Sequence, residues 1–153
     1  MELNFTHLLL FLYFTVHLFK IIGNIPSRLT ESGYREYITN NKKDIEAHWE
    51  TVPDEYRDIM TKIICGVALT AMICHAVLCM YIGVISPYVI PKIICYLESV
   101  ETFYTIIAHG KSAYEYLFKS NSYEFPYHKY EEWFGVVLGM LCCLMAIVTL
   151  ILI

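Results

Sequence analysis

The apolar residues of this chain arrive in blocks about 20 long, the length a helix needs to cross roughly 30 Å of hydrocarbon at ~1.5 Å per residue. Phe5 to Ile22 is the first block. No basic segment precedes it and no small-residue cleavage site follows, so it reads as a retained span rather than a secretory signal. Gly23, Asn24 and Pro26 are expected to end it. Ile63 to Leu97 is almost continuously apolar, and as one helix would reach about 50 Å, well beyond a bilayer. Gly83, Ser86, Pro87 and Pro91 sit in its middle, and proline cannot continue the backbone ladder undisturbed. Two antiparallel spans joined by a tight hairpin are therefore expected, followed by a last span from Trp133 to Ile153 that ends within or at the edge of the membrane.

The expected fold class is an all-α integral membrane protein, an up-down four-helix bundle in one transmembrane domain over residues 1–153. Its spans are placed at 5–22, 63–84, 88–108 and 133–153, with a polar loop at 24–58 and an aromatic-rich loop at 110–132. Composition agrees: 57% of the residues are hydrophobic and only 17% charged, too little charge for an ordinary soluble domain. A net charge of −4 gives no basic footprint, so nucleic acid is not an expected partner. The lipid bilayer is.

Within the first loop, Thr30–Thr39 and Lys42–Glu50 read as two short amphipathic helices on the membrane surface. Thr51-Val-Pro-Asp has the pattern of a helix start, with a hydroxyl cap and proline in the first turn. Asn4-Phe-Thr matches a glycosylation sequon but abuts the first span, and is read as a chance match. Lys20, Arg28, Arg35, Lys42, Lys43, Arg57 and Lys62 belong to the first loop and its flanks, and Lys111, Lys119 and Lys129 to the third. Only Lys92 lies near the hairpin. By the positive-inside rule, loops 24–58 and 110–132 are expected in the cytoplasm and both termini outside.

At 100° per residue, Thr6, Tyr13, His17, Lys20 and Asn24 share one stripe of the first span. Glu98, Glu101, Thr102, Thr105, His109 and Ser112 share one on the third. Neither stripe is stable against lipid, so both are expected to face inward, toward each other. The second span carries Ala68, Ala71, His75 and Cys79 on one face, and the fourth carries Gly135, Gly139 and Cys143, a small-residue ridge with a true GxxxG. Counting depth along the helices pairs His17 and His75 with Glu98 and Glu101 near the midplane, although His17 and His75 are themselves offset by about 10 Å.

No bound metal or cofactor is expected. All six cysteines fall inside apolar runs, where they serve as small hydrophobes. The Glu-x-x-His spacing of di-metal bundles is absent after Glu98, and the offset of the two histidines does not suit a haem. Hydrolase and nucleotide motifs are missing. Two functions remain. The expected one is non-enzymatic, a small membrane subunit that assembles with copies of itself or with a larger membrane-protein partner. The alternative is an ion or proton channel or transporter in which Glu98 and Glu101 carry the ion, His17 and His75 exchange protons, and Thr102, Thr105 and His109 line the exit.

Overall fold

A computed structural model of the chain describes residues 4–115 and 127–153, and among these residues there are five helices and no strand. The helices are α1 (Phe5–Leu29), α2 (Glu31–Glu50), α3 (Asp54–Ile85), α4 (Val89–Tyr114) and α5 (Lys129–Leu152). α1, α3 and α5 are each long and apolar enough to cross a membrane. Most of the aromatic segment around Pro126 lies outside the described residues.

α1 opens on Asn4, whose side-chain oxygen accepts from the Thr6 amide at 3.2 Å, so the asparagine of the sequon serves as a helix cap. The helix does not stop at Gly23 and Asn24 as expected. Pro26 falls in its last turn, where the loss of one ladder bond is tolerated, and the helix ends three residues later. Thr30 then caps α2 by accepting from the Gly33 amide at 3.1 Å. A side chain on Gly33 would come within 2.5 Å of the Pro26 carbonyl, so this sharp joint between α1 and α2 needs glycine.

The two short surface helices expected in the first loop are one helix. Asn40 and Asn41, between them, are weak helix formers but not breakers. Thr51 closes α2 rather than opening α3: its amide and hydroxyl both donate to the His48 carbonyl, and the residue before α3 is Pro53, with no side-chain cap. The acids Asp54 and Glu55 do lie in the first turn of α3, near its positive end. The hairpin forms where the prolines place it, with Ser86 ending α3 and Pro91 in the first turn of α4, where its missing N–H costs little. Ser86 is buried and accepts from the Thr149 hydroxyl at 3.3 Å, which ties the hairpin to the far end of α5.

α3 runs along α4, α4 and α1 each pack on α5, and α2 lies against the end of α1. α1 and α3 meet through long side chains, chiefly Phe14 and Tyr13 against His75. The core they enclose is thin and built largely from small groups: Cys79, Cys95, Cys142, Cys143 and Ala146, with Phe14, Ile82 and Val136, are all buried. The Cys142 sulfur sits 3.6 Å from that of Cys79 and 3.8 Å from that of Cys95, a contact that lets α3, α4 and α5 approach closely. The outer surface is apolar: Phe5, Val16, Phe19, Val67, Val84 and Val137 all point away from the core.

Candidate functional site

The two polar stripes line one cavity and are joined through a third helix, while Thr6 and Lys20 of the first stripe are exposed. His75 of α3 is the hub, 8% exposed, with its Nδ1 2.8 Å from the Tyr13 hydroxyl and its Nε2 3.4 Å from Glu98 Oε1. A tautomer that accepts at Nδ1 from the Tyr13 hydroxyl and donates from Nε2 satisfies both contacts when Glu98 carries its charge. The Cys79 sulfur lies 3.5 Å from the same Nε2. His17 packs on this hub from α1, its ring 4.5 Å from that of His75 and stacked on Tyr13 at 5.9 Å. The expected offset of about 10 Å is therefore wrong: counting rise along two separate helices needs a common origin, which their packing and not residue number supplies.

Only one of the two expected His–Glu pairs is present as a contact. Glu101 is instead held by the Thr105 hydroxyl, which donates to its Oε1 at 3.3 Å. Thr102 turns its hydroxyl back onto the Glu98 carbonyl at 2.9 Å and contributes no side-chain contact to the acids. His109 lies further toward the end of α4, 3.3 Å from Glu131 Oε2 and 6.3 Å ring to ring from His128.

The glycine ridge of α5 lies directly over the acids. A side chain on Gly135 would meet Glu101 Oε1 at 3.1 Å and the Arg28 guanidinium at 3.5 Å; one on Gly139 would meet Ile21 at 3.1 Å and Glu98 Oε1 at 3.5 Å. Cys143 continues the ridge and is buried, whereas Ala68 and Ala71 on α3 are exposed. Because glycine replaces bulk at these levels, a cavity of about 410 Å³ opens between α1, α4 and α5. His17, Glu98 and Gly139 form its deep end, Lys20, Glu101 and Gly135 its middle, and Arg28, Glu132, Tyr34 and Tyr37 its mouth under α2. Glu98 is 6% exposed and its Oε2 meets no donor from the described residues. A smaller cavity of about 200 Å³ lies on the other side of the mouth, between Thr105, His109, His128 and Glu131, and shares Tyr34 and Glu132 as its wall.

The mouth is braced. Arg28 Nε donates to Glu132 Oε2 at 2.7 Å and the Trp133 indole donates to the Leu29 carbonyl at 3.3 Å, so the end of α1 is fastened to the start of α5. Burial pushes the Tyr34 phenol well above its ordinary range, and the Glu132 charge adds to the shift, so Tyr34 stays protonated. Arg28, Tyr34, Tyr37 and Glu132 are not among the expected site residues, since residues 24–58 and 110–132 read as loops. The signal was there: Lys20, Asn24 and Arg28 continue the first stripe at four-residue spacing once the helix is allowed to run past Pro26.

Among the described residues no group of three histidines, cysteines or acids is arranged to hold a metal ion. No family model, curated protein or solved structure matches the chain.

Proposed function

We propose that the chain is a four-span membrane protein whose interior cavity carries protons or a small cation between the deep acids and the side on which α2 lies. The observation that carries the reading is Glu98: a buried carboxylate, with an oxygen that meets no donor from the described residues, lining a half-open cavity together with a second acid, Glu101. Ionisable groups inside a membrane commonly mark ion paths, and side chains serving only to lock helices together have no need of a cavity beside them.

Support for α4 as the fourth span comes from the way its residues divide. Glu98, Ser99 and Thr102 are buried, while Val89, Ile90, Ile93, Val100 and Ile107 lie outward, a surface fit for lipid. Its 26 residues reach about 39 Å, enough to cross. Average hydropathy counts Glu98 and Glu101 as if they met lipid, which is why α4 falls short on composition alone. By the positive-inside rule the mouth, with loops 24–58 and 110–132, faces the cytoplasm and both termini lie outside. An assembly role needs a surface other than the glycine ridge, which is filled by Glu98, Glu101 and Ile21 of the same chain.

The test is proton or cation flux in proteoliposomes loaded with an indicator dye. Glu98→Gln and Glu101→Gln are each expected to lower flux at least tenfold in protein that still melts cooperatively. Flux equal to wild type in both variants, or no flux in wild type, refutes the pathway.

A further inference from the structure

We infer that the solute this cavity is shaped for is a small organic molecule bearing an ammonium group, seated with that group against Glu98 and Glu101. The inference rests on the pathway reading and names the substrate class of the same site. Size is the first argument. A volume of about 410 Å³ is that of about a dozen liquid waters at ~30 Å³ each. A proton relay needs a single file of them and a bare metal ion fewer ligands still, whereas the figure lies within the ~300–1,000 Å³ of sites for small organic molecules.

Charge is the second argument. Arg28 at the mouth is bound to Glu132 at 2.7 Å, with its guanidinium on the far side of Gly135 from Glu101 rather than paired with it. Among the described residues, neither Glu98 nor Glu101 has a lysine or arginine within ion-pair distance. The partner missing from the deep end is a hydrogen-bond donor with positive charge, and Glu98 Oε2, nine-tenths buried, is the atom that lacks it. The cavity also changes character along its length. Tyr34 and Tyr37 stand at the mouth, where their ring faces favour the passage of an ammonium group on its way in. Lys20, halfway down, repels a second positive charge and suits a neutral or anionic tail. A single ammonium on a compact organic frame satisfies each of these; sodium or hydronium uses only the acids.

Two sources share this chemistry, a soluble amine and the ethanolamine headgroup of a lipid. The experiment is isothermal titration of the full chain in detergent micelles with propylamine and ethanolamine, using ammonium chloride and propanol as controls and empty micelles as blank. One saturable site per chain is expected for both amines, at least tenfold tighter than ammonium, with no binding of propanol and at least a tenfold loss in Glu98→Gln. If that variant fails to melt cooperatively, Glu101→Gln is read in its place. Amines that bind no tighter than ammonium, or that bind both folded variants as they bind wild type, overturn the inference. Repeating the titration in phosphatidylethanolamine and phosphatidylcholine nanodiscs separates the sources: suppression in the first marks the lipid headgroup as occupant, equal binding the soluble amine. Proton flux without amine binding removes this inference alone, and amine binding without flux of any kind removes the pathway reading.

Discussion

Replacing Tyr13 with phenylalanine takes away one hydroxyl and leaves the ring that stacks on His17 and borders Phe14. That hydroxyl is the hydrogen-bond partner of His75 Nδ1, at 2.8 Å, on a residue only 8% exposed. Stranding a buried acceptor costs about 1–3 kcal/mol in water-soluble proteins, and interhelical hydrogen bonds in membranes average ~0.6 with a maximum near 1.7 kcal/mol. The expected loss for Tyr13→Phe is therefore about 1 kcal/mol. The larger consequence is directional. While Tyr13 donates to Nδ1, the imidazole proton stays on Nε2 and points to Glu98; without it, either nitrogen can carry the proton. Glu98→Gln alone keeps a side-chain oxygen to accept from Nε2–H and nearly the same shape, so its own stability change should stay within about 1 kcal/mol. In the Tyr13→Phe background the effect of Glu98→Gln should differ by about 0.5–1.5 kcal/mol, a coupling between residues joined only through His75. Unfolding in mixed micelles of the wild type, both singles and the double variant measures the cycle. Additivity within about 0.3 kcal/mol refutes the relay through His75, and a loss above about 2 kcal/mol in Glu98→Gln alone marks Glu98 as structural glue.

Other perturbations follow from the packing. Gly83→Ala places a methyl 2.8 Å from the Tyr96 ring between α3 and α4, and is expected to cost about 1–2 kcal/mol in the same unfolding assay; an unchanged midpoint contradicts the contact. Arg28→Ala frees α1 from α5 at the mouth, where the ion-pair side chains are 35% and 20% exposed. It should cost about 0.5–1 kcal/mol at low salt, and less of the difference should survive in 1 M salt. The thiols divide by place: in the reconstituted protein N-ethylmaleimide should modify Cys65, near the end of the apolar run of α3, before Cys74, which is exposed at the middle of that run where lipid disfavours the thiolate, and should modify Cys79, Cys95, Cys142 and Cys143 only after unfolding, as read by intact mass. Fast labelling of the last four contradicts the thiol-filled core.

Much of this architecture is visible in the sequence, because the bilayer length and the period of 3.6 residues act over whole segments. The blocks of apolar residues and the hairpin at Ser86-Pro87 are legible, as is the inward turn of the stripes through His17 and Glu98. Features decided by a few atoms are not. Whether Pro26 ends α1 or merely sits in its last turn depends on one lost hydrogen bond, and that decides whether Arg28 belongs to a loop or to the wall of a cavity. Thr51 has the chemistry of a cap for either of two helices, and the carbonyl of His48 wins it. The level of His75 relative to His17 follows from how α1 and α3 are placed along one another, which no residue count contains. The placement of Gly135 and Gly139 over the two acids is likewise a matter of helix rotation; the spacing announces a close contact but not its partner.

The proposed pathway requires α4 to pass through lipid with its acids turned inward, and nitroxide accessibility measures this most directly. In a background with the reactive Cys65 and Cys74 replaced by serine, labels are introduced at Val100, which is 66% exposed on the outer face, and at Leu97, which is 48% exposed. In reconstituted bilayers both labels should collide readily with oxygen and scarcely at all with a water-soluble nickel complex. Strong nickel relaxation at either position would put this face of α4 in water and contradict the account.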